Sequence, residues 1–94
     1  MDTKLAFAKA IKEARKFRCL TQEDFGDISS RTYMSTLERG LKSPTLDKMD
    51  ALAKKMSIHP LTLLTLTYLY ESDEVSLEQL LVDISREIKE ITNL

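Results

Sequence analysis

The chain has 94 residues, of which 43% are hydrophobic and 31% charged, with a formal net charge of −1. Such a chain holds one domain around one core, and its balanced composition excludes a collagen-like, low-complexity or intrinsically disordered polymer. Two Gly and two Pro in the whole chain, among dense Leu, Lys, Ala and Glu, point to an all-α fold with short turns, because no alternating apolar–polar run is long enough for a sheet.

A first helix is expected from a cap at Asp2 or Thr3 to about Arg18. Leu5, Ala8 and Ile11, with Phe7, Ala10 and Ala14, form an apolar stripe at helical spacing. Lys9, Lys12, Arg15, Lys16 and Arg18 form a basic flank, and the cations near the C-terminus suit the helix dipole. Lys4, Lys9 and Lys12 interrupt the apolar cluster, so a signal peptide is not expected here. Cys19 stands where a helix usually ends on Gly, and it is expected as a small, partly buried core residue. With no second Cys and a distant His59, it is neither a disulfide half nor a metal ligand, which fits a reducing, cytoplasmic setting.

Thr21-Gln22-Glu23-Asp24 begins a second helix, with Thr21 as its cap and Asp24 reaching back in a capping box. Phe25 and Ile28 are its core contacts. Gly26, in the expected helix interior, costs about 1 kcal/mol relative to Ala, and the close crossing of another helix is the expected compensation. Gln22 lies in the first turn, where its amide and the free backbone N–H groups suit an anion.

The stretch Ser30–Gly40 reads as one short helix with both ends marked: Ser30 caps its start, and Gly40 supplies a left-handed close. Met34 and Leu37 fall on one side. Arg31, Thr32, Ser35, Thr36 and Arg39 occupy the rest, a face of donors and small hydroxyls without an acid. Such a face suits phosphates and base edges better than a hydrophobic partner. Glu38 is the only acid on this helix, and near phosphate it would repel; it is therefore expected to turn inward and pair. Two short helices joined by a tight turn, the second with a polar face, form a helix-turn-helix.

Leu41–Pro44 is a loop, since a residue before Pro disfavours helix. Thr45 caps a further helix to about Ser57, with Leu46, Met49, Leu52, Ala53 and Met56 inward and Lys48, Lys54 and Lys55 outward. His59 is read as a cap or surface residue before Pro60, which suits the first position of the next helix. From Leu61 to about Glu71 that helix is apolar nearly all round, with only Thr62, Thr65 and Thr67 as a polar face, so it needs cover on several sides. The run is too short to span a bilayer.

Ser76 and Gln79 show a capping-box pattern before a last helix. Leu77, Leu81, Ile84, Ile88 and Ile91 step by four and three in turn, a heptad seam flanked by acids. This seam packs either on its own domain or on a second subunit. The apolar surplus favours a dimer whose interface takes Leu66, Leu69 and Tyr70 together with the seam. The net charge also divides: residues 1–58 carry 12 Lys+Arg and 8 Asp+Glu, whereas residues 59–94 carry 2 and 7. The basic half suits a polyanion, and the acidic half faces away from it.

The blocks Phe7–Lys16, Leu20–Phe25 and Arg31–Gly40, followed by Pro44-Thr45-Leu46 and then Met49, Leu52, Ala53 and Met56, resemble the lambda-repressor-like, Cro-type (XRE) helix-turn-helix family. The resemblance covers residues 5 to about 64. It implies a compact five-helix domain, here residues 1–71, with residues 72–94 added as an amphipathic helix for dimerisation or for packing. It also implies sequence-specific binding to double-stranded DNA, usually as a homodimer that controls transcription. Gln22 matches a phosphate-anchoring Gln; Arg31, Thr32 and Thr36 match base-reading positions; Ser30, Tyr33 and Ser35 match positions touching backbone or bases. Lys42 and Ser43 fall in a phosphate-gripping loop, and Arg15 and Glu38 match a pair that bridges the first and third helices. Two departures stand out. The segment from Gln22 to Ser30 is two residues shorter than the family pattern, and the usual Gly of its turn is missing, so the second helix is expected to end early.

The expectation is therefore a DNA-binding regulator, read as a repressor, that takes an inverted-repeat operator in the major groove. The alternative is a protein-interaction module, such as an antitoxin-type partner, using the last two helices. No nucleophile–base set, Gly-rich phosphate loop or metal-ligand spacing points to an enzyme, and no cofactor, membrane or small-molecule ligand is expected.

Overall fold

The helix Thr3–Phe17, α1, takes part in the most extensive helix–helix packing of the domain. In the computed structural model, which describes residues 1–93, Asp2 caps α1 by accepting from the Leu5 N–H at 2.9 Å. Ala6, Phe7, Ala10 and Ile11 are buried along its inner side. A single 3₁₀ turn, Gln22–Phe25, follows. Four α-helices complete the described chain: α2 (Arg31–Glu38), α3 (Leu46–Lys55), α4 (Pro60–Glu71) and α5 (Leu77–Thr92). Every described segment of regular structure is helical, and the fold is all-α.

Side-chain caps start each helix where the backbone needs an acceptor. Ser30 accepts from Tyr33 N–H, Thr45 from Lys48 N–H and Ser76 from Gln79 N–H. His59 Nδ1 accepts from Leu61 N–H at 3.0 Å, one residue ahead of Pro60 at the helix start. At Ser76 only half of the capping box forms, because the Gln79 amide instead donates to Asp83 Oδ1 at 2.9 Å.

The ends of α1, α2 and α3 share one stop. Cys19, Gly40 and Ser57 all lie at positive φ, at 58°, 74° and 55°. In each case two backbone bonds close the helix: Leu20 N–H to Arg15 O and Cys19 N–H to Lys16 O after α1, with equivalent pairs after α2 and α3. Cys19 is thus not the partly buried core residue expected from its size. It is exposed, because the left-handed stop turns its side chain outward. Gly40 has a second constraint, since a Cβ there would stand 2.6 Å from Leu5 Cδ2. Arg18 reinforces the third stop, donating from Nε to Met56 O at 2.9 Å.

The core gathers Ile11, Phe25, Met34, Leu37, Leu52, Met56 and Leu63, all fully buried. Burial of side chains of this size contributes about 1.5–3 kcal/mol each. α4 lies along α1, α2 packs on α1, and α3 packs on α4. Inward and outward assignments change at several positions. Leu5, placed in the apolar stripe of α1, is 47% exposed. Leu46, expected inside, is 78% exposed because it occupies the first position of α3, at the rim. Thr67, expected on a polar face, is buried, its hydroxyl donating to Leu63 O at 2.9 Å. Tyr70 packs onto α1 of its own chain, where its hydroxyl donates to Glu13 and Lys9 Nζ lies 4.3 Å from its ring centre.

The last helix behaves differently from the rest. α5 buries none of its residues, and Leu77, Leu81, Ile84 and Ile88 stay between 38% and 50% exposed. No helix among the described residues is long and apolar enough to cross a membrane.

Candidate nucleic-acid interface

α2 is anchored from within. Met34 and Leu37 bury one side of it, and Glu38 fastens its last turn to α1. Arg15 meets the Glu38 carboxylate with two parallel bonds, Nε to Oε2 at 2.7 Å and Nη2 to Oε1 at 2.9 Å. The two side chains are only 12% and 4% exposed. Arg15 Nη1 also donates to Leu20 O at 2.8 Å, and the Gln22 amide donates to Glu38 Oε1 at 3.2 Å. The Glu38 carboxylate, first through its hydrogen bonds, raises the pKa of the Arg15 guanidinium. One buried ion pair thus ties α1, the 3₁₀ turn and α2 together, and the last acid of α2 is removed from the outer face.

The segment before α2 is shorter and tighter than a second helix. Gln22–Phe25 makes one 3₁₀ turn, with Thr21 and Asp24 forming a complete capping box: Thr21 N–H donates to Asp24 Oδ2 at 2.7 Å and Asp24 N–H to Thr21 Oγ1 at 3.3 Å. The bonds from Thr21 hold the Asp24 carboxyl below its ordinary pKa. This changes two expectations. Gly26 is not inside a helix crossed by another; it caps the 3₁₀ turn at φ −61°, and the only near neighbour of an added Cβ is Glu23 O at 3.3 Å. Gln22 does not sit at an open helix end, because a four-residue turn builds no dipole and its amide nitrogen points to Glu38. The tightness leaves a mark: Ser29 Oγ is buried in the turn without a hydrogen-bond partner among the described residues.

The outer face of α2 carries Arg31 and Thr32, exposed, and Ser35 and Thr36, half-buried. Ser30 is used as the cap. Thr36 Oγ1 donates back to Thr32 O at 2.7 Å, which commits its hydroxyl to the helix backbone. Arg31 reaches Glu23 Oε1 at 3.1 Å, with both side chains about 70% exposed. Arg39, Lys42 and Ser43 are exposed in the last residue after α2 and in the loop beyond it. Tyr33 is half-buried beside the core, and burial raises its phenol pKa. Arg31, Thr32, Thr36, Arg39 and Lys42 thus belong to one helix and the loop that leaves it, whereas Gln22 reaches that region through Glu38.

Lys48 was legible only as a surface cation, yet it works at this site. Its Nζ donates to Ile28 O at 2.7 Å and lies 5.6 Å from the Tyr33 ring centre, so α3 clamps the turn that leads into α2. No sequence signal marks this, because the contact joins residues 20 apart through a fold-dependent approach. No protein-family model, curated protein or solved structure matches the chain.

Proposed function

We propose that this protein is a sequence-specific DNA-binding regulator of the lambda-repressor-like, Cro-type helix-turn-helix kind, and that it represses transcription as a homodimer on an inverted-repeat operator. The observation that carries this reading is the outer face of α2, from which the one acid, Glu38, is withdrawn into a buried pair with Arg15. What remains outside is Arg31, Thr32, Ser35 and Thr36, with Arg39, Lys42 and Ser43 beside them. In this reading Lys42, Ser43 and Arg39 hold phosphates and set the register. Arg31 makes a bidentate contact to guanine, and Thr36, whose hydroxyl is held by Thr32 O, offers its methyl to a thymine methyl.

Arg31 exchanges Glu23 for the base on binding. The exposed ion pair is worth about 0–1 kcal/mol, whereas a good bidentate base contact supplies about 1–3 kcal/mol of discrimination, so the exchange favours DNA. Two α2 helices about 34 Å apart, one turn of the duplex, account for the inverted repeat. Selection of bound sites from random DNA, followed by affinity at two salt concentrations, tests the reading. An inverted repeat bound far above random duplex is expected; sequence-blind binding with a steep salt slope would overturn it.

A protein-interaction module of the antitoxin type is the second reading. The uncovered apolar side of α5 supports it, and it takes the lead if no DNA site is recovered.

A further inference from the structure

α2 is held at its two ends by different means. The buried Glu38–Arg15 pair fixes its last turn. Its start has no helix beneath it, since residues 26–29, which lead to the Ser30 cap, form neither helix nor strand. Within this turn Phe25 O accepts both the Ile28 and the Ser29 N–H, each at 3.0 Å. Ile28 O, two residues before the cap, receives no backbone N–H among the described residues. Its donor is the Lys48 ammonium, at 2.7 Å.

The same Nζ lies 5.6 Å from the Tyr33 ring centre, within the range where a cation is drawn to an aromatic face. Tyr33 N–H is the group that the Ser30 cap holds. Lys48 therefore touches the chain on both sides of the cap, and it does so from a firm base. It stands in the first turn of α3, where its own N–H is held by Thr45 Oγ1 at 3.2 Å, and the next residue, Met49, is buried in the core. A charged donor makes a stronger hydrogen bond than a neutral one, and half-burial of Lys48 shields it from solvent. Lys55, two turns further along the same face of α3, makes a looser contact. It meets Asp27 Oδ2 at 3.6 Å, and the Asp27 side chain is 65% exposed.

We propose that Lys48 is a positioning residue for base reading. Without touching DNA, it sets the direction in which α2 leaves its cap, and so where Arg31 and Thr32 meet the base edges. The proposal rests on the reading of α2 as the DNA-facing helix, and it adds that α3 helps to set specificity. Base contacts need exact alignment of two hydrogen bonds, whereas phosphate contacts carry no sequence information. Loss of the clamp should therefore lower discrimination and leave general affinity for DNA in place.

The test compares the full chain with Lys48→Met, Lys48→Arg and Lys55→Met. Each is titrated at two salt concentrations with the duplex recovered by selection and with a scrambled duplex. Lys48→Met keeps the unbranched stem and removes the ammonium. It should lower the ratio of the two affinities ~10-fold, the scale of one bidentate base contact, with affinity for the scrambled duplex and the salt slope unchanged. Lys48→Arg, which donates to the same carbonyl beside the same ring, should return most of the ratio. Lys55→Met removes an equal charge from an exposed pair and should leave the ratio near that of the parent. Without DNA, amide exchange at Ser29 and Tyr33 should quicken ~10-fold in Lys48→Met, while Ile11 and Leu52 in the core keep their rates. A parent-like ratio in Lys48→Met overturns the proposal and leaves the DNA reading standing. Equal losses on both duplexes with a slope lower by about one make Lys48 a phosphate contact and also overturn it. So do an equal loss in Lys55→Met, which assigns the effect to net charge, and unchanged exchange at Ser29 and Tyr33. A parent chain that does not itself prefer a selected duplex removes the DNA reading, and the positioning role goes with it.

Discussion

Cys19 sits at φ 58°, where every side chain with a Cβ is strained. Cys19→Gly should therefore stabilise the fold by ~1 kcal/mol and raise the melting temperature by about 4–8 °C; an unchanged or lower value would show that the thiol has a compensating contact. Glu38 is the opposite case. Glu38→Ala leaves the Arg15 guanidinium and the Gln22 amide without their acceptor in a largely dry site, and should cost about 3–5 kcal/mol in urea unfolding. A loss under about 0.5 kcal/mol, the surface range, would mean that Arg15 finds water or another partner. Asp24 supplies a pH signature. Its carboxyl is held below the ordinary 3.8 by the Thr21 bonds. Its stabilising contribution is therefore complete above that value and is lost as pH falls through the lowered one. Asp24→Asn should flatten the acid limb of stability against pH while leaving the alkaline limb alone. Tyr70 works in the other direction: Glu13, by accepting from the hydroxyl, pushes the phenol up to about 12 from 10.0. That contribution is complete below pH 10.0 and is lost as pH rises toward about 12, so Tyr70→Phe should remove it.

Among the elements, α2 had boundaries written in local chemistry. Ser30 is a cap because its hydroxyl can accept, and Gly40 is a stop because it tolerates positive φ. The turn before α2 could not be read the same way. The Thr21–Asp24 box was visible as a pattern, but the replacement of a helix by a single 3₁₀ turn follows from the short span between Phe25 in the core and Ser30 at the cap. That span closes with the clamp from Lys48, a contact between distant residues. Arg31→Ala should lose about 1–3 kcal/mol on the specific site and relax one base position, while Lys42→Ala should weaken specific and random DNA alike and lower the salt slope by about one. Equal losses on both DNAs for Arg31→Ala would remove its base-reading role and leave it as a phosphate contact.

Across the whole molecule, charge and apolar surface separate. Residues 1–58 carry 12 Lys+Arg against 8 Asp+Glu, whereas residues 59–94 carry 2 against 7, so the basic excess lies in the first part of the chain and the acidic excess in the last. A DNA-facing side and a partner-facing side on opposite parts of one small domain would share little surface. Monomerising changes on α5 should thus reduce affinity for a full inverted repeat far more than for a half-site. A fall of the same size on both would place α5 at the DNA.

The all-α class, the caps at Ser30, Thr45, His59 and Ser76, and the burial of Phe7, Ala8, Ala10 and Ile11 on α1 were set by the sequence alone, because each depends on residues within a few positions of one another. The inward turn of Glu38 was also legible, since it is the single acid of a helix whose outer face otherwise holds donors and small hydroxyls. The tertiary structure decided what depends on distance along the chain. It turned Cys19 outward, gave the Gln22 amide to Glu38, buried Thr67, folded Tyr70 onto α1 and left α5 uncovered. A side chain's partner across tens of residues is chosen by how helices pack, and helical period alone carries no information about which neighbour a face will meet.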